Sequence, residues 1–390
     1  MNDLRAATVD RKVVALRVDL NVPTSGDGRI TDDTRIVATL PTIHHLTQSG
    51  ARVLLLSHFG RPKGRRDPSL SLEPIARALE GYVGDRVAFA GDCIGAAVAE
   101  TVAKMHAGNV ALLENVRFHN GEANNDPTFA QLLAEPADIF VNDAFGAAHR
   151  SHASVVGLAR LLPSYPGFLL ESEIRAFDAI LNNPDRPLVA IVGGAKISSK
   201  IGVLSNLVEI VDVLLLGGGM ANTFLAARGL DMGSSLVESS HLADATEIMR
   251  ASLETGTKIV LPVDGVMASS VSPGADAAVG PVEEIPEGWT MLDIGPGTER
   301  LFADHLASAR TVVWNGPMGV FENKDFARGT EHVARAVARS DAFSLVGGGD
   351  SVAAVKLLGM ESEFDHISTG GGASLEMLEG NPLPGIAALG

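Results

Sequence analysis

The sequence has a single cysteine, Cys93, among its 390 residues. One cysteine cannot form an intramolecular disulfide, which excludes a disulfide-stapled scaffold and suits a reducing compartment such as the cytoplasm. Aromatic residues make up only 5% of the chain, which favours helices layered on sheets over an aromatic β-sandwich. Long apolar runs are absent, and the first residues lack the apolar core of a signal peptide, so we expect a cytoplasmic protein without a membrane segment.

Positive charge is also scarce, with 31 Lys and Arg against 47 Asp and Glu and a net charge of −16. A general nucleic-acid or anionic-membrane binder needs a positive face, so we expect neither partner. Two nucleotide-binding signatures are missing as well. The chain contains no G-x-x-x-x-G-K-[ST], which excludes a P-loop protein, and no clean G-x-G-x-x-G after a strand, which disfavours a dehydrogenase.

Short runs rich in Val, Ile and Leu recur about one helix apart. Such near-continuous apolar runs are typical of buried parallel strands joined by helical crossovers, so the chain is predicted to be α/β with helices on both sheet faces. The predicted strands are 13–20, 53–57, 87–90, 110–113 and 139–142, then 188–192, 213–216, 258–262, 311–315 and 343–346.

The length of the chain suggests two or three domains. Residues 168–181 place Leu170, Ile174 and Phe177 at helical spacing, and a Pro- and Asn-rich joint follows at 182–187. We therefore place a domain boundary within 168–187. Another helix is predicted after Ser71, which can act as its N-cap.

In the first half of the chain, Arg and His follow the predicted strand ends. Ligands of open α/β sheets bind beyond the carboxyl ends of the strands, and the guanidinium fork pairs well with carboxylate or phosphate. A lone Arg is usually a surface ion pair and a lone His usually a helix-face residue, so it is the repetition that predicts an anion pocket. The candidate residues are Asp19, Asn21, Arg35, His58, Arg61, Arg117 and Arg150.

In the second half, glycine runs follow the strands instead. Glycine before a helix lets backbone amides approach a phosphate, although tight turns alone explain any single run. Lys196 and Lys200 would share one face of a helix that begins near Ala195. Asp350 is a hard oxygen ligand suited to Mg²⁺. A nucleophile at His149 or Ser351 is disfavoured because no base and orienting group accompany it.

These segments together resemble the phosphoglycerate kinase family. The matching motifs are collinear and span nearly the whole chain: R-V-D-L-N-V-P (17–23), S-H-F-G-R-P (57–62), E-N-V-R-F (114–118), N-D-A-F-G-A-A-H-R-S-H-A-S (142–154), G-G-A-K-I-S-S-K (193–200), G-G-G-M (217–220), W-N-G-P-M-G-V-F-E (314–322), G-G-G-D-S (347–351) and S-T-G-G-G-A-S-L-E (368–376). The resemblance implies two doubly wound, Rossmann-like parallel-sheet domains joined by an interdomain helix. Residues 1–168, with 369–390 returning, would bind phosphoglycerate, 169–186 would be the helix and hinge, and 187–368 would bind nucleotide.

The resemblance also implies an activity and a set of site residues. The activity is reversible phosphoryl transfer from 1,3-bisphosphoglycerate to ADP, by a monomer that closes around its substrates. Phosphoglycerate would contact the seven first-half residues named above, with Arg35, Lys196 and Lys200 catalytic. The nucleotide would contact Gly194, Ala195, Lys200, Gly217, Glu322, Gly348, Gly349, Asp350 and Ser351, and Asp350 would contact Mg²⁺ with the nucleotide phosphates.

Three positions depart from the family pattern. Ser351 stands where Thr is frequent but keeps the hydroxyl, Gly297 replaces a residue that is often charged, and Gly265 one that is commonly apolar. Two other interpretations stay open at this point: a different phosphotransferase or a nucleotide-dependent dehydrogenase, and a non-catalytic nucleotide- or phosphate-binding regulator.

Overall fold

The computed structural model describes residues 1–26 and 29–390. Its contacts divide the chain into two units, unit 1 with Met1–Ile174 and Pro382–Gly390 and unit 2 with Arg175–Asn381. Each unit has its own parallel sheet and hydrophobic core. Within the described residues, no helix has the length and apolar character needed to cross a membrane.

Unit 1 is built on a parallel sheet of six strands in the order β3-β4-β2-β1-β5-β6. The first strand, β1, is buried along its whole length and pairs with β2 on one side and β5 on the other, so the winding direction reverses beside it. The strands are β1 (Val13–Arg17), β2 (Arg52–Leu56), β3 (Val87–Ala90), β4 (Val110–Leu113), β5 (Ile139–Asn142) and β6 (Ser164–Pro166). The helices are α1 (Thr34–Gln48), α2 (Glu73–Val83), α3 (Ala96–Lys104), α4 (Asn120–Ala123), α5 (Pro127–Ala134), α6 (Leu158–Leu161) and α7 (Phe168–Leu181).

Unit 2 repeats this plan with a six-stranded parallel sheet in the order β15-β14-β13-β7-β8-β9. A second sheet, antiparallel and in the order β11-β10-β12, is added to it. The strands are β7 (Leu188–Val192), β8 (Val213–Leu216), β9 (Lys258–Val260), β10 (Asp264–Ala268), β11 (Ala277–Pro281), β12 (Thr290–Ile294), β13 (Thr311–Asn315), β14 (Phe343–Gly347) and β15 (His366–Ile367). The helices are α8 (Ile201–Ile210), α9 (Gly218–Ala227), α10 (Leu242–Thr255), α11 (Pro296–Ala307), α12 (Arg328–Ala338), α13 (Gly349–Leu357) and α14 (Gly371–Leu378).

The α/β class and the doubly wound parallel sheets agree with the sequence prediction, but several strands differ. The strand predicted over 13–20 ends at Arg17, and the one predicted over 258–262 ends at Val260. The antiparallel sheet was not predicted; its strand β11 (A-A-V-G-P) is largely exposed and shows no alternation of polar and apolar residues. The two edge strands β6 and β15 were also missed, since three and two residues are too short for a periodic signal.

The chain was predicted to return to the first domain over residues 369–390. In the structure the return begins later, at Pro382. Helix α14 packs on α8, and Asn206 Nδ2 donates to Leu378 O at 2.8 Å, so residues up to Asn381 belong to unit 2. Only Pro382–Gly390 belongs to unit 1, where α15 (Pro384–Ala387) begins with Gly385 N donating to Ala148 O at 2.8 Å. The unit boundary itself lies within α7, the helix expected to join the domains.

Candidate active site

The predicted anion-binding residues of unit 1 lie in the loops after β1, β2, β4 and β5 and in the first turn of α1. Arg35 is tied to the loop after β1: its Nη1 donates to Asn21 O at 2.6 Å and lies 3.5 Å from Asp19 Oδ2. Gly60 joins two further loops, because its N–H donates to Asn21 Oδ1 at 2.9 Å and its carbonyl accepts from Arg117 Nη1 at 2.9 Å. The loops after three strands are therefore held together by direct hydrogen bonds.

His58 is buried in this cluster and has a defined tautomer. Arg17 Nη2 lies 3.1 Å from His58 Nδ1, and a guanidinium can only donate, so Nδ1 must be the acceptor. Burial first, and then the positive charges of Arg17 and Arg117, hold the pKa of His58 well below its usual value. The ring is therefore neutral at physiological pH and carries its proton on Nε2, as a hydrogen-bond donor rather than a cation.

Two residues behind the cluster were not predicted as part of the site. Arg17 is fully buried, donates from Nε to Ser154 Oγ at 2.9 Å and also donates to the carbonyl of Val18. Glu122, also fully buried, accepts from Ser154 N at 2.9 Å and from Ser154 Oγ at 2.6 Å. Burial raises the pKa of Glu122, but His152, whose Nδ1 lies 3.5 Å from Glu122 Oε1, and the charge of Arg17 outweigh it, so the net pKa is lowered.

This buried carboxylate balances the charge of Arg17, which in turn orients His58. An arginine at the end of an apolar strand was a visible signal in the sequence. Nothing in the sequence marks Glu122, because its partners come from other parts of the chain.

A cleft of about 390 Å³ brings together Arg61, Arg117 and Arg150. Burial, and then repulsion by Arg17, lowers the pKa of Arg117 to about 10, so its side chain stays charged at neutral pH. Asp19, Asn21, Arg35 and His58 do not line this cleft; His58 contacts Arg17, and Asn21 contacts Gly60 and Arg35. A larger cleft, of about 940 Å³, runs along edge strand β3, but acidic and basic side chains both line it, so it lacks the single sign that an anion needs.

In unit 2 the predicted pairing of Lys196 and Lys200 on one helix face is wrong. Helix α8 begins only at Ile201, and Lys196 is in an extended conformation, with a short 3₁₀ turn between the two lysines. Lys196 is exposed, whereas Lys200 Nζ donates to Gly193 O at 2.8 Å and to Asn315 O at 2.9 Å. Burial lowers the pKa of Lys200 to about 8, and the nearby charge of Asp350 opposes that shift.

The glycines of unit 2 fall into two groups. Gly218 and Gly316 have φ values of +67° and +106°, and a Cβ would lie 2.6 Å from Gly194 O and 2.2 Å from Gly193 O, respectively. Packing between the loops after β7, β8 and β13 therefore requires them. A Cβ on Gly349 would have nothing within 4 Å, so neither packing nor backbone conformation explains that glycine.

Gly348, Gly349, Asp350 and Ser351 form the start of α13. The N-terminus of a helix favours phosphate, because its amides are unpaired and its dipole is positive there. Ser351 is fully buried and its Oγ accepts from Gly316 N, so its hydroxyl oxygen supports the loop after β13. Asp350 is exposed in the first turn, where its carboxylate fits the oxygen preference of Mg²⁺.

The other nucleotide candidates lie in the loops after β7, β8 and β13. Gly194 and Ala195 follow β7, Gly217 is the N-cap of α9, and Glu322 is exposed after β13. The structure thus places the second-half candidates at the carboxyl edge of one parallel sheet, as the sequence predicted.

The phosphoglycerate kinase family model matches residues 2–381. The chain belongs to the phosphoglycerate kinase family. It is 56% identical to the phosphoglycerate kinase of Rubrobacter xylanophilus, over 97% of this chain and 95% of that one. It is 54% identical to the enzyme of Moorella thermoacetica, over 99% and 98%. The solved phosphoglycerate kinase of Coxiella burnetii superposes with a TM-score of 0.92 at 42% identity, covering 100% of this chain and 98% of that one.

A phosphoglycerate kinase is a phosphotransferase of glycolysis, and the chain has that function. The dehydrogenase and the non-catalytic regulator are therefore set aside. The solved phosphoglycerate kinase of Pyrococcus horikoshii, more distant at 36% identity, still gives a TM-score of 0.86 over 100% of this chain and 98% of that one.

Proposed function

We propose that the chain transfers the acyl phosphate of 1,3-bisphosphoglycerate to ADP, reversibly, and that the two substrates bind to different units. The convergence of Arg61, Arg117 and Arg150 on one cleft of unit 1 carries this proposal. Three guanidinium groups match a small molecule that bears a phosphate and a carboxylate or acyl phosphate.

Phosphoglycerate binds in unit 1. The arginines of the cleft bind its phosphate, and Arg35, with Asp19 and Asn21 fixing its position, faces the reacting carboxyl group. His58 donates from Nε2 to a substrate oxygen, since Arg17 occupies its Nδ1. A neutral donor among several cations adds a hydrogen bond without more positive charge.

The nucleotide binds in unit 2, with its phosphates at the start of α13. Lys200 lies near Asp350 of that helix and supplies a half-buried positive charge. Asp350 would hold Mg²⁺ together with the nucleotide phosphates, and the ion would neutralise part of their charge. Lys196 is exposed in the loop after β7, from which it would approach the transferring phosphate.

The chemistry requires no general base. In the forward direction an oxygen of the ADP β-phosphate forms the new P–O bond, while the bond from phosphorus to the carboxyl oxygen breaks and the carboxylate leaves with its electron pair. Both the nucleophile and the leaving group are anions, so no proton has to move. Catalysis comes from in-line positioning and from charge stabilisation by Arg35, Lys196 and Lys200.

With one ligand on each unit, transfer requires that the units close, and we infer that α7 and the following joint act as the hinge. Closure also excludes water that would hydrolyse the acyl phosphate. Small-angle scattering should show compaction only when both ligands are bound. We further propose a cytoplasmic monomer, for which light scattering should give the mass of one chain, 40.6 kDa.

The first experiment mixes the purified chain with 3-phosphoglycerate and Mg-ATP and couples the product to NADH oxidation through glyceraldehyde-phosphate dehydrogenase. NADH loss that requires every component supports the proposal. Lys200→Ala or Arg35→Ala should then lower kcat on the order of 10²–10³-fold, as loss of a charge-stabilising donor does. Unchanged kcat in folded variants would contradict these roles, whereas His149→Gln should leave kcat near normal.

A further inference from the structure

We propose that Asp92, Cys93 and His119 form a binding site for a zinc-class divalent cation in unit 1. The site is separate from the phosphotransfer residues and is not required for the proposed reaction. It borders the arginine-lined cleft, however, because His119 also contributes to the wall of that cleft.

The fold brings the three ligands together from two neighbouring strands. Asp92 and Cys93 follow the carboxyl end of β3, and His119 follows the 3₁₀ turn Val116–Phe118 after β4. Because β3 and β4 pair in parallel, their carboxyl ends meet at the same edge of the sheet. One carboxylate oxygen, the thiol sulfur and one ring nitrogen all lie within 4.8 Å of one another.

These separations are close to those of a tetrahedral zinc site. Metal–ligand bonds of about 2.0–2.3 Å place neighbouring ligand atoms about 3.5 Å apart, so side-chain movements of roughly 1 Å would close the site. His119 Nε2 already lies 2.8 Å from Asp92 Oδ1. A thiolate, an imidazole and a carboxylate form a donor set that suits zinc and its neighbours rather than Mg²⁺ or Ca²⁺, which prefer oxygen alone.

Charge and access also fit a cation. The side chains of Asp92 and His119 are 39% and 31% exposed, so an ion can enter from solvent, whereas Cys93 forms the buried end of the site. A thiolate and the Asp92 carboxylate would together balance a charge of +2. Without an ion, burial and then the charges of Asp92 and Glu122 raise the pKa of the Cys93 thiol well above its usual value, so the cation must displace the thiol proton when it binds.

An ordinary Asp–His hydrogen bond is the competing explanation, and unit 2 contains one for comparison. His241 Nδ1 lies 2.7 Å from Asp244 Oδ2, at a similar degree of exposure, but among the described residues no thiol completes a cluster there. His241→Ala is therefore a matched control for His119→Ala.

The test is a titration of the full chain with Co²⁺, followed by absorption spectroscopy and then by displacement with Zn²⁺. Because Cys93 is the only cysteine, a thiolate-to-cobalt charge-transfer band reports on this site alone. We expect one such ion per chain, no band in Cys93→Ser, and at least about tenfold weaker binding in Asp92→Asn and His119→Ala. His241→Ala should bind as the unsubstituted chain does.

Absence of the band in the folded chain at saturating Co²⁺ would overturn the proposal, as would unchanged affinity in both Asp92→Asn and His119→Ala. If Cys93→Ser fails to fold, Asp92→Asn still tests the site. Its amide oxygen can accept the hydrogen bonds that Asp92 Oδ1 makes with Cys93 N at 2.7 Å and with His119 Nε2 at 2.8 Å. The titration contains no substrate, so failure of the proposed kinase mechanism and failure of this site give different results.

Discussion

At the scale of single residues, buried charges and their partners decide what each group in the candidate site of unit 1 can do. Arg17 would be costly to bury alone, and Glu122 offsets that cost through Ser154. The consequence extends to His58, whose Nδ1 is occupied by Arg17 and whose proton therefore sits on Nε2. Two buried, oppositely charged residues linked through Ser154 thus set the hydrogen-bonding character of a residue in the candidate site.

This arrangement predicts different effects for two substitutions of His58. His58→Gln keeps an N–H donor near the position of Nε2, whereas His58→Ala removes it. A hydrogen bond to a charged partner contributes about 1.5–3 kcal/mol, so His58→Ala should raise KM for 3-phosphoglycerate roughly tenfold to a hundredfold, and His58→Gln much less. Steady-state kinetics measure both. Equal increases, or a ¹⁵N NMR spectrum showing the Nδ1–H tautomer, would contradict the assignment.

The lowered pKa of Lys200 predicts that the activity of the enzyme depends on pH. Its pKa is lowered from 10.5 to about 8, chiefly by burial, so the folded free enzyme loses this positive charge as pH rises through about 8. The kcat/KM for nucleotide, which reports on the free enzyme, should therefore fall above that pH. Lys200→Met should lack this limb of the profile, and Lys196→Met, which removes an exposed lysine, should keep it. A flat profile up to about pH 10 would show that Lys200 does not titrate in this range.

The lowered pKa of Lys200 also affects stability. Its contribution to the free energy of unfolding should rise over the pH range in which kcat/KM falls. Between about pH 8 and 10.5 the unfolded chain keeps the Lys200 proton while the folded chain has lost it. The unfolded state then binds more protons, so the contribution of this group to the free energy of unfolding increases as pH rises. Denaturant unfolding of the chain and of Lys200→Met at about pH 8 and about pH 10 measures that difference.

At the scale of elements, the turns that lead into helices have two separate requirements, close packing between loops and access for a ligand. Gly218 at the start of α9 belongs to the first kind, and under the proposed function Gly349 at the start of α13 belongs to the second. Both occur in similar glycine runs, and only the surrounding atoms distinguish them.

Alanine at these two glycines should separate folding from binding. Gly218→Ala forces a side chain into positive φ and against Gly194 O, and should destabilise the fold by about 1 kcal/mol or more. Gly349→Ala should leave stability unchanged or slightly higher but raise KM for nucleotide, because the new methyl group obstructs the approach of phosphate to the helix. Thermal unfolding and kinetics test the pair. Normal nucleotide KM in Gly349→Ala would remove the argument for α13 as the phosphate site.

The start of α11 is stabilised by a side chain from another element. Asp264 of β10 accepts hydrogen bonds from Gly297 N at 2.7 Å and from Thr298 N at 2.7 Å. It therefore caps a helix that follows the neighbouring strand β12. A Cβ on Gly297 would lie 2.9 Å from Asp264 Oδ2, and one on Gly265 would lie 2.4 Å from Met291 Sδ. A side chain at either of these two positions, which depart from the family pattern, would therefore collide with a neighbouring side chain.

Asp264→Ala should lower the free energy of unfolding by about 1–2 kcal/mol, since it removes a capping carboxylate, and should leave kcat unchanged. Asp276→Ala, at an exposed position of the same antiparallel region, is the control and should change neither. Chemical denaturation measures the effect. Equal stability of the two variants would show that the cap contributes little.

At the scale of the whole molecule, two units with separate cores predict separate responses to the two ligands. Under the proposed function, 3-phosphoglycerate alone should slow hydrogen exchange in the unit 1 loops 17–21, 57–66 and 114–124. Mg-ADP alone should slow exchange in unit 2 at 193–200 and 347–351. Mass spectrometry of peptides resolves these segments. Protection of unit 1 by the nucleotide alone, without phosphoglycerate, would contradict the assignment of one ligand to each unit.

The sequence was sufficient for features that depend on local pattern. The bounds of β4, β5, β7, β8 and β13 follow from apolar runs that end at a glycine or a polar residue, because strands buried on both faces need uninterrupted apolar residues. Helix α7 followed from its three-to-four spacing. Arg and Gly residues that follow strand ends can also be found from short stretches of sequence. The order of residues along the chain was therefore enough to name candidates at the sheet edges.

Features in which distant residues meet depended instead on tertiary packing. The pairing of Glu122 with Arg17, the cap from Asp264 and the cluster of Asp92, Cys93 and His119 all join segments that are remote in sequence, so no local pattern encodes them. The same holds for Lys196 and Lys200, whose spacing suggested a shared helix face although the loops after β7 and β13 draw Lys200 inward. Residue types at strand ends determined which chemistry the chain offers, and packing determined which of those groups are charged, oriented and close enough to act together.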